Sequence, residues 1–110
     1  MQDFQIVWVP ESTYGTETWI AIVDSKTVGH ISMLIEREMR LKFMDAWVHP
    51  DWRRRGIFRA LWETRWSNVT ERYPEWTVYA WCKSKSLPLL LEKGFASGEI
   101  CTYVEKVIKK

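Results

Sequence analysis

The segment of this chain with the most chemistry in it runs Val48-His49-Pro50-Asp51-Trp52-Arg53-Arg54-Arg55-Gly56-Ile57-Phe58-Arg59-Ala60-Leu61. An apolar run stops at His49-Pro50, three consecutive arginines follow, and one glycine precedes apolar residues at helical spacing. The first N–H groups of a helix have no internal partners, and the helix dipole adds partial positive charge there. Such an end accepts an anion. Gly56 lets a ligand come close to the backbone, and Arg53, Arg54 and Arg55 put cations where a pyrophosphate or terminal phosphate would sit. A solvated, basic helix start explains the same residues equally well, and the residues alone leave both readings standing.

Other reactive side chains carry less. Alternation along the strand puts Phe43, Asp45 and Trp47 on one side, where Asp45 reads as a polar residue on a solvated face. His30 and His49 have no metal-like partners, so no metal is expected. His30 reads as satisfying a local hydrogen bond and His49 as a surface loop residue beside the basic turn. Cys82 lacks a histidine in sequence that would activate it and reads as a packed thiol. With Cys101 it makes no disulfide framework. Ser84 and Ser86 read as caps of a short helix.

The elements that must hold the basic turn follow from periodicity. Phe4 to Val9 predicts a strand, Pro10 to Glu17 a loop, and Thr18 to Val23 a second strand. Asp24-Ser25-Lys26 is a turn signal. Thr27 to Ile35 and Leu41 to Val48 predict two further strands, separated by the polar reversal Glu36 to Met39. From Arg54 to about Thr70, apolar residues at Ile57, Phe58, Leu61, Trp62, Trp66 and Val69 predict a helix closed by Tyr73-Pro74. Trp76 to Cys82 predicts a fifth strand, and Leu87 to Leu91 a short helix stopped at Lys93-Gly94. Strand material follows at Phe95-Ala96 and Ile100 to Val107. The strands flanking the long helix should be parallel and the earlier ones antiparallel, because their connections are short. The expected fold is therefore α/β: a mixed, mostly antiparallel sheet with one parallel pair and flanking helices.

The chain has 110 residues, enough for one domain over 1–110. Its 46% hydrophobic content argues against disorder. A net charge of +2 is too small to argue for nucleic acid or a membrane surface. No signal peptide or membrane-length apolar run is visible, and a cytoplasmic location is expected. Eight tryptophans read as a short chain's way of burying enough area.

The basic turn resembles motif A of the GNAT acetyltransferase superfamily, a strand ending near Val-x-Pro followed by Arg/Gln-x-x-Gly-x-Gly/Ala opening a helix. Val48, Pro50, Arg53 and Gly56 match it, and Trp52 stands where an aromatic is common. Leu90-Leu91-Glu92-Lys93-Gly94-Phe95 is similar to the family's Tyr-Glu-Lys-Leu-Gly-Phe ending, and the resemblance spans roughly Trp19 to Val107. A compact, single-domain member is indicated, loosely similar to small phage-encoded ones.

The resemblance implies an acetyl-CoA-dependent N-acetyltransferase with direct transfer to an amine, the acceptor being a small molecule or a protein. The pyrophosphate would meet Arg53, Arg54, Arg55, Gly56, Ile57 and Phe58; the pantetheine would lie along Ala46, Trp47 and Val48; and the region of Ser84 would contact the coenzyme. His49 would be placed to hydrogen-bond it. A carboxylate at the position of Asp45 is a candidate base in some relatives. Three departures stand out. Phe58 replaces a small residue and must either crowd the pyrophosphate or turn toward the sheet. Leu90 occupies the place of the usual tyrosine acid, leaving Tyr79 or water to protonate the thiolate. The loop Pro10 to Glu17 is too short for the two helices that usually wall the acceptor, which implies an open cleft, a macromolecular acceptor, or a wall from a second copy in a homodimer. The alternative is a catalytically weak module of the same fold that binds CoA or a protein partner. A nucleic-acid-binding role for Arg53 to Arg55 is disfavoured by the shortness of the basic run.

Overall fold

The computed structural model describes residues 4–10, 15–81, 92, 96–97 and 103–108, with backbone alone at 45, 81, 96, 97, 103 and 104. Among the described residues, seven strands form one sheet in the order β1-β2-β3-β4-β5-β7-β6. They are β1 (Gln5–Val9), β2 (Thr16–Val23), β3 (Lys26–Glu36), β4 (Arg40–Val48), β5 (Thr77–Trp81), β6 (Ala96–Ser97) and β7 (Tyr103–Val107). The first four pair antiparallel in chain order. The helix α1 (Ile57–Arg72) then crosses over, so that β5 runs parallel to β4. β7 pairs antiparallel to β5, and β6 to β7. This is the mixed sheet the sequence predicts. The expected helix over Leu87 to Leu91 lies outside the described residues.

The β2–β3 hairpin turns through Asp24 and Ser25, both with positive φ (47° and 65°), the conformation a two-residue hairpin requires. Only residues 10–15 separate β1 from β2. The helix begins at Ile57, three residues later than periodicity suggests, because Arg54 (φ 63°) and Gly56 (φ 82°) are left-handed. It ends at Arg72, where the Tyr73 N–H bonds the Val69 carbonyl at 2.8 Å and Pro74 follows.

One face of the sheet packs on α1. β2 contributes Trp19, Ala21 and Val23, β3 Ile31 and Met33, β4 Leu41 and Phe43, and α1 Ile57, Leu61, Trp62 and Val69. The Phe43 ring meets Trp62 and Trp66 edge-on at 5.9 and 6.2 Å. The tryptophans largely serve burial: Trp19 and Trp62 are fully interior, and Trp52, Trp66 and Trp76 pack against the core. Trp8 and Trp47 are exposed.

Alternation fails once along β4. Ser32 pairs with Met44 but His30 with Trp47, so Asp45 and Ala46 together oppose Ile31 in a bulge. Leu41 and Phe43 face the core; beyond the bulge Val48 does so and Trp47 is exposed. The expectation that Phe43 and Trp47 share a side is thus corrected by one extra residue.

Candidate functional site

Two features converge at the C-terminal end of β4. The first is an opening in the sheet. β4 and β5 pair from Arg40↔Thr77 to Phe43↔Ala80 and no further, although β4 continues to Val48 and β5 to Trp81, which still pairs with Tyr103 on its other side. From Met44 to Val48 the β5-side edge of β4 therefore has no strand partner among the described residues. Such an edge presents free N–H and C=O groups to a ligand. Ala46 and Trp47, expected to line it, are exposed there, and the Trp47 ring is flanked by His30 at 5.6 Å and His49 at 6.0 Å.

The second feature is the turn leading into α1. A 3-10 turn, Pro50–Trp52, leaves β4, with the His49 Nδ1 accepting from the Asp51 N–H at 3.1 Å. Left-handed residues at 54 and 56 bracket Arg55, an alternation that turns successive amides toward one point. Gly56 occupies the N-cap position and supplies no side-chain cap. The helical ladder starts only at the Ala60 N–H to Gly56 carbonyl bond of 3.0 Å, so the amides of Ile57, Phe58 and Arg59 precede it. A Cβ built on Gly56 meets nothing within 4 Å. Phe58, close to this glycine, packs against the core.

The arginines differ from one another. The Arg53 Nε donates to the Val48 carbonyl at 3.0 Å, tying the turn to the strand end. Arg55 lies over the Trp52 ring at 4.7 Å. Arg54 is exposed. Arg59, one turn along, pairs with Glu92 at 3.2 Å.

The proposed chemistry-bearing residues fall around the opening unevenly. Asp45 is in the bulge. Tyr79 sits one pair before the last β4–β5 pair, beside Lys42. Its hydroxyl donates to Glu36 Oε1 at 2.6 Å and its ring lies under Arg40 at 4.4 Å, so it is engaged toward the start of β4, away from the opening. Ser84, Cys82, Leu90, Gly94 and Phe95 lie outside the described residues.

Gly29 is a residue that sequence reasoning passed over. It is buried on β3, and a Cβ there would stand 3.0 Å from the Trp47 carbonyl oxygen, 3.3 Å from Ile57 Cγ2 and 3.4 Å from Leu61 Cδ1. The first turn of α1 can seat this deeply only over a glycine. A glycine inside an otherwise apolar strand was the available signal.

Comparison with known proteins agrees with this fold. Residues 10–100 match the acetyltransferase (GNAT) domain family. No curated protein matches the sequence significantly. Among solved structures, the ribosomal-protein-S18-alanine N-acetyltransferase from Escherichia coli superposes with a TM-score of 0.75 at 14% identity, over 91% of this chain and 74% of that one. An IAA acetyltransferase from Bacillus cereus gives 0.74 at 12% identity, over 98% and 100%. The PaiA N-acetyltransferase from Thermoplasma acidophilum, solved in complex with coenzyme A, gives 0.68 at 14% identity, over 84% and 61%. At these identities the likeness is one of fold.

Proposed function

The chain belongs to the GNAT acetyltransferase family, and from that premise we propose that it binds acetyl-CoA at the β4–α1 turn and transfers the acetyl group directly to an amine. The observation that carries this reading is the uncapped helix start at Gly56, where an added Cβ would meet nothing within 4 Å and Phe58 packs against the core. A diphosphate would receive the amides of Ile57 and Phe58, with the exposed Arg54 and the Trp52-stacked Arg55 as counter-charges. Arg53 has the different task of holding the turn to Val48. The unpaired edge of β4 at Ala46 to Val48 would take the pantetheine as an added strand. Ser84 belongs to the same proposed contact set.

Acetyl-CoA supplies an activated thioester. The amine nitrogen attacks the carbonyl carbon, the C–S bond breaks, and the proton lost by the amine passes to a base. An alkyl amine has an ordinary pKa of about 10.4, so this deprotonation needs help at neutral pH. Asp45, in the bulge beside the opening, is the proposed base. Proton delivery to the departing thiolate falls to water or to Tyr79; the Tyr79 hydroxyl's bond to Glu36 favours water.

With only residues 10–15 between β1 and β2, the acceptor side lacks the usual walls. We read this as an open cleft that takes a protein or small-molecule amine, or one completed by a second copy. A single cytoplasmic domain fits the reading; no described helix is long and apolar enough to cross a membrane. A second reading, a coenzyme-binding module with little turnover, is favoured by the engaged Tyr79 hydroxyl. Calorimetry with acetyl-CoA followed by thiol release over a panel of amines separates the two. Binding with release supports the enzyme, binding without release the module, and absence of binding defeats both.

A further inference from the structure

α1 carries a cation where its buried stripe should be apolar. Arg65 falls in the row Ile57, Leu61, Arg65, Val69 and is 3% exposed. Its Nη1 donates to the Ser32 carbonyl at 2.8 Å, and its guanidinium carbon lies 3.6 Å from the centre of the Phe43 ring and 5.6 Å from that of Trp62. Its Nε is buried without a hydrogen-bond partner. Burying a cation costs several kcal/mol after relaxation. A leucine or methionine would fill the space between helix and sheet more cheaply, so the guanidinium answers a specific need.

That need lies at Ser32. Ser32 marks the place where β3–β4 pairing slips, with Ser32↔Met44 on one side of the bulge and His30↔Trp47 on the other. A bulge interrupts the hydrogen-bond ladder and bends the strand that carries it. Here the bent strand is β4, and its pairing with β5 ends at Phe43, immediately before the bulge. Arg65 reaches from the helix into this level of the sheet, bonds a β3 carbonyl and lies on the ring of Phe43, the last β4 residue paired with β5. One side chain thus joins three things that must agree: the helix whose first turn forms the anion site, the strand opposite the bulge, and the residue at the point of opening.

We propose that Arg65 is a positioning residue that holds the β4 bulge, and with it the opening between β4 and β5, in register with the Gly56 turn. The proposal rests on the acetyl-CoA reading above. Without the guanidinium, α1 loses its hydrogen bond to β3 opposite the bulge and its contact with the Phe43 ring of β4, and the coenzyme's two contact surfaces shift relative to each other.

The test compares wild type, Arg65→Met and Arg65→Lys by acetyl-CoA calorimetry and by amide hydrogen exchange over residues 44–48. Methionine keeps the apolar stem and removes the donor; lysine keeps a donor able to reach the same carbonyl. Expected are at least tenfold weaker binding and faster exchange in Arg65→Met, with both returning to within about threefold of wild type in Arg65→Lys. Unchanged affinity and exchange in Arg65→Met overturns the proposal, as does equal loss in both variants, which would mark Arg65 as packing alone. Should Arg65→Met fail to fold, exchange in Arg65→Lys decides: retained protection of 44–48 supports the tie, and lost protection in a folded protein overturns it. A wild-type chain that ignores acetyl-CoA would defeat the underlying reading, while the exchange comparison would still judge Arg65 on its own.

Discussion

The two ends of α1 use arginine in opposite ways. At the C-terminal end Arg72 is saturated. It bridges Glu17 at 2.5 Å, bonds the Asn68 side chain at 2.6 Å, and lies over the Trp8 and Tyr73 rings at 4.8 and 4.9 Å. Glu17 is only 2% exposed and accepts the Trp8 indole N–H as well, at 2.8 Å. Edge strand β1, strand β2 and the helix end are joined through one carboxylate. At the N-terminal end the backbone amides are left open, no side chain caps them, and Arg54 stands in solvent. A basic residue at a helix C-terminus also complements the dipole, whereas at the N-terminus it opposes it. The closed end is built for stability. The open end accepts an electrostatic cost that a bound anion would relieve, so the fold itself satisfies Arg72 and leaves Arg54 in solvent.

The comparison can be broken from either side. The largest effect is expected at the closed end. Glu17→Ala removes the acceptor of both Arg72 and Trp8 and should cost about 3 kcal/mol of stability, the scale for one partner lost from a mostly buried ion pair. Urea unfolding measures it, and acetyl-CoA affinity in the folded variant should not move. A loss of affinity matching the loss of stability would mean that the two ends are not separable.

Next is Gly56→Glu, which places a carboxylate in the proposed anion site. Binding of acetyl-CoA should fall about a hundredfold or more, equivalent to roughly 2.7 kcal/mol at 25 °C. Gly56→Ala is the control. Its Cβ meets nothing within 4 Å, so it carries only the left-handed backbone penalty of about 1 kcal/mol and should bind far better than the glutamate variant. Equal affinity for the two would remove the anion from the explanation.

Gly29→Ala is expected to act on both ends of the argument at once. Its new Cβ would press on the Trp47 backbone oxygen and on Ile57, lifting the first turn of α1 off the sheet. A stability loss of about 1–2 kcal/mol, as overpacking gives, should come with weaker coenzyme binding. Normal binding would show that the turn tolerates displacement. The smallest effect is assigned to Arg54→Ala: a few-fold loss of affinity that disappears as salt is raised, because an exposed cation is screened. A salt-independent loss would point to a direct, desolvated contact.

Much of this was legible in the residues, and what escaped has identifiable causes. The antiparallel early strands, the parallel crossover and the family could be read because the apolar spacing changes period at Arg54 and because motif A is a local pattern. The start of α1 was misplaced because propensity does not distinguish helical arginines from the left-handed Arg54. The bulge was invisible because it depends on pairing between strands, which no single strand encodes. Arg65 was overlooked although its position, four residues from both Leu61 and Val69, already placed a charge on the buried stripe. The Glu17–Arg72 bridge joins residues too distant in sequence for spacing to suggest.

The bulge also decides how β4 would respond to losing a residue. Excising Ala46 would restore unbroken two-residue periodicity and make the segment look more ideal on paper. It would leave the downstream register as it is, with Trp47 still outside opposite His30 and Val48 still against the core opposite Gly29, and would remove only the bend opposite Ile31. The extra residue is therefore dispensable for inside-outside order, and what it contributes is the curvature of β4 at the level where its pairing with β5 stops.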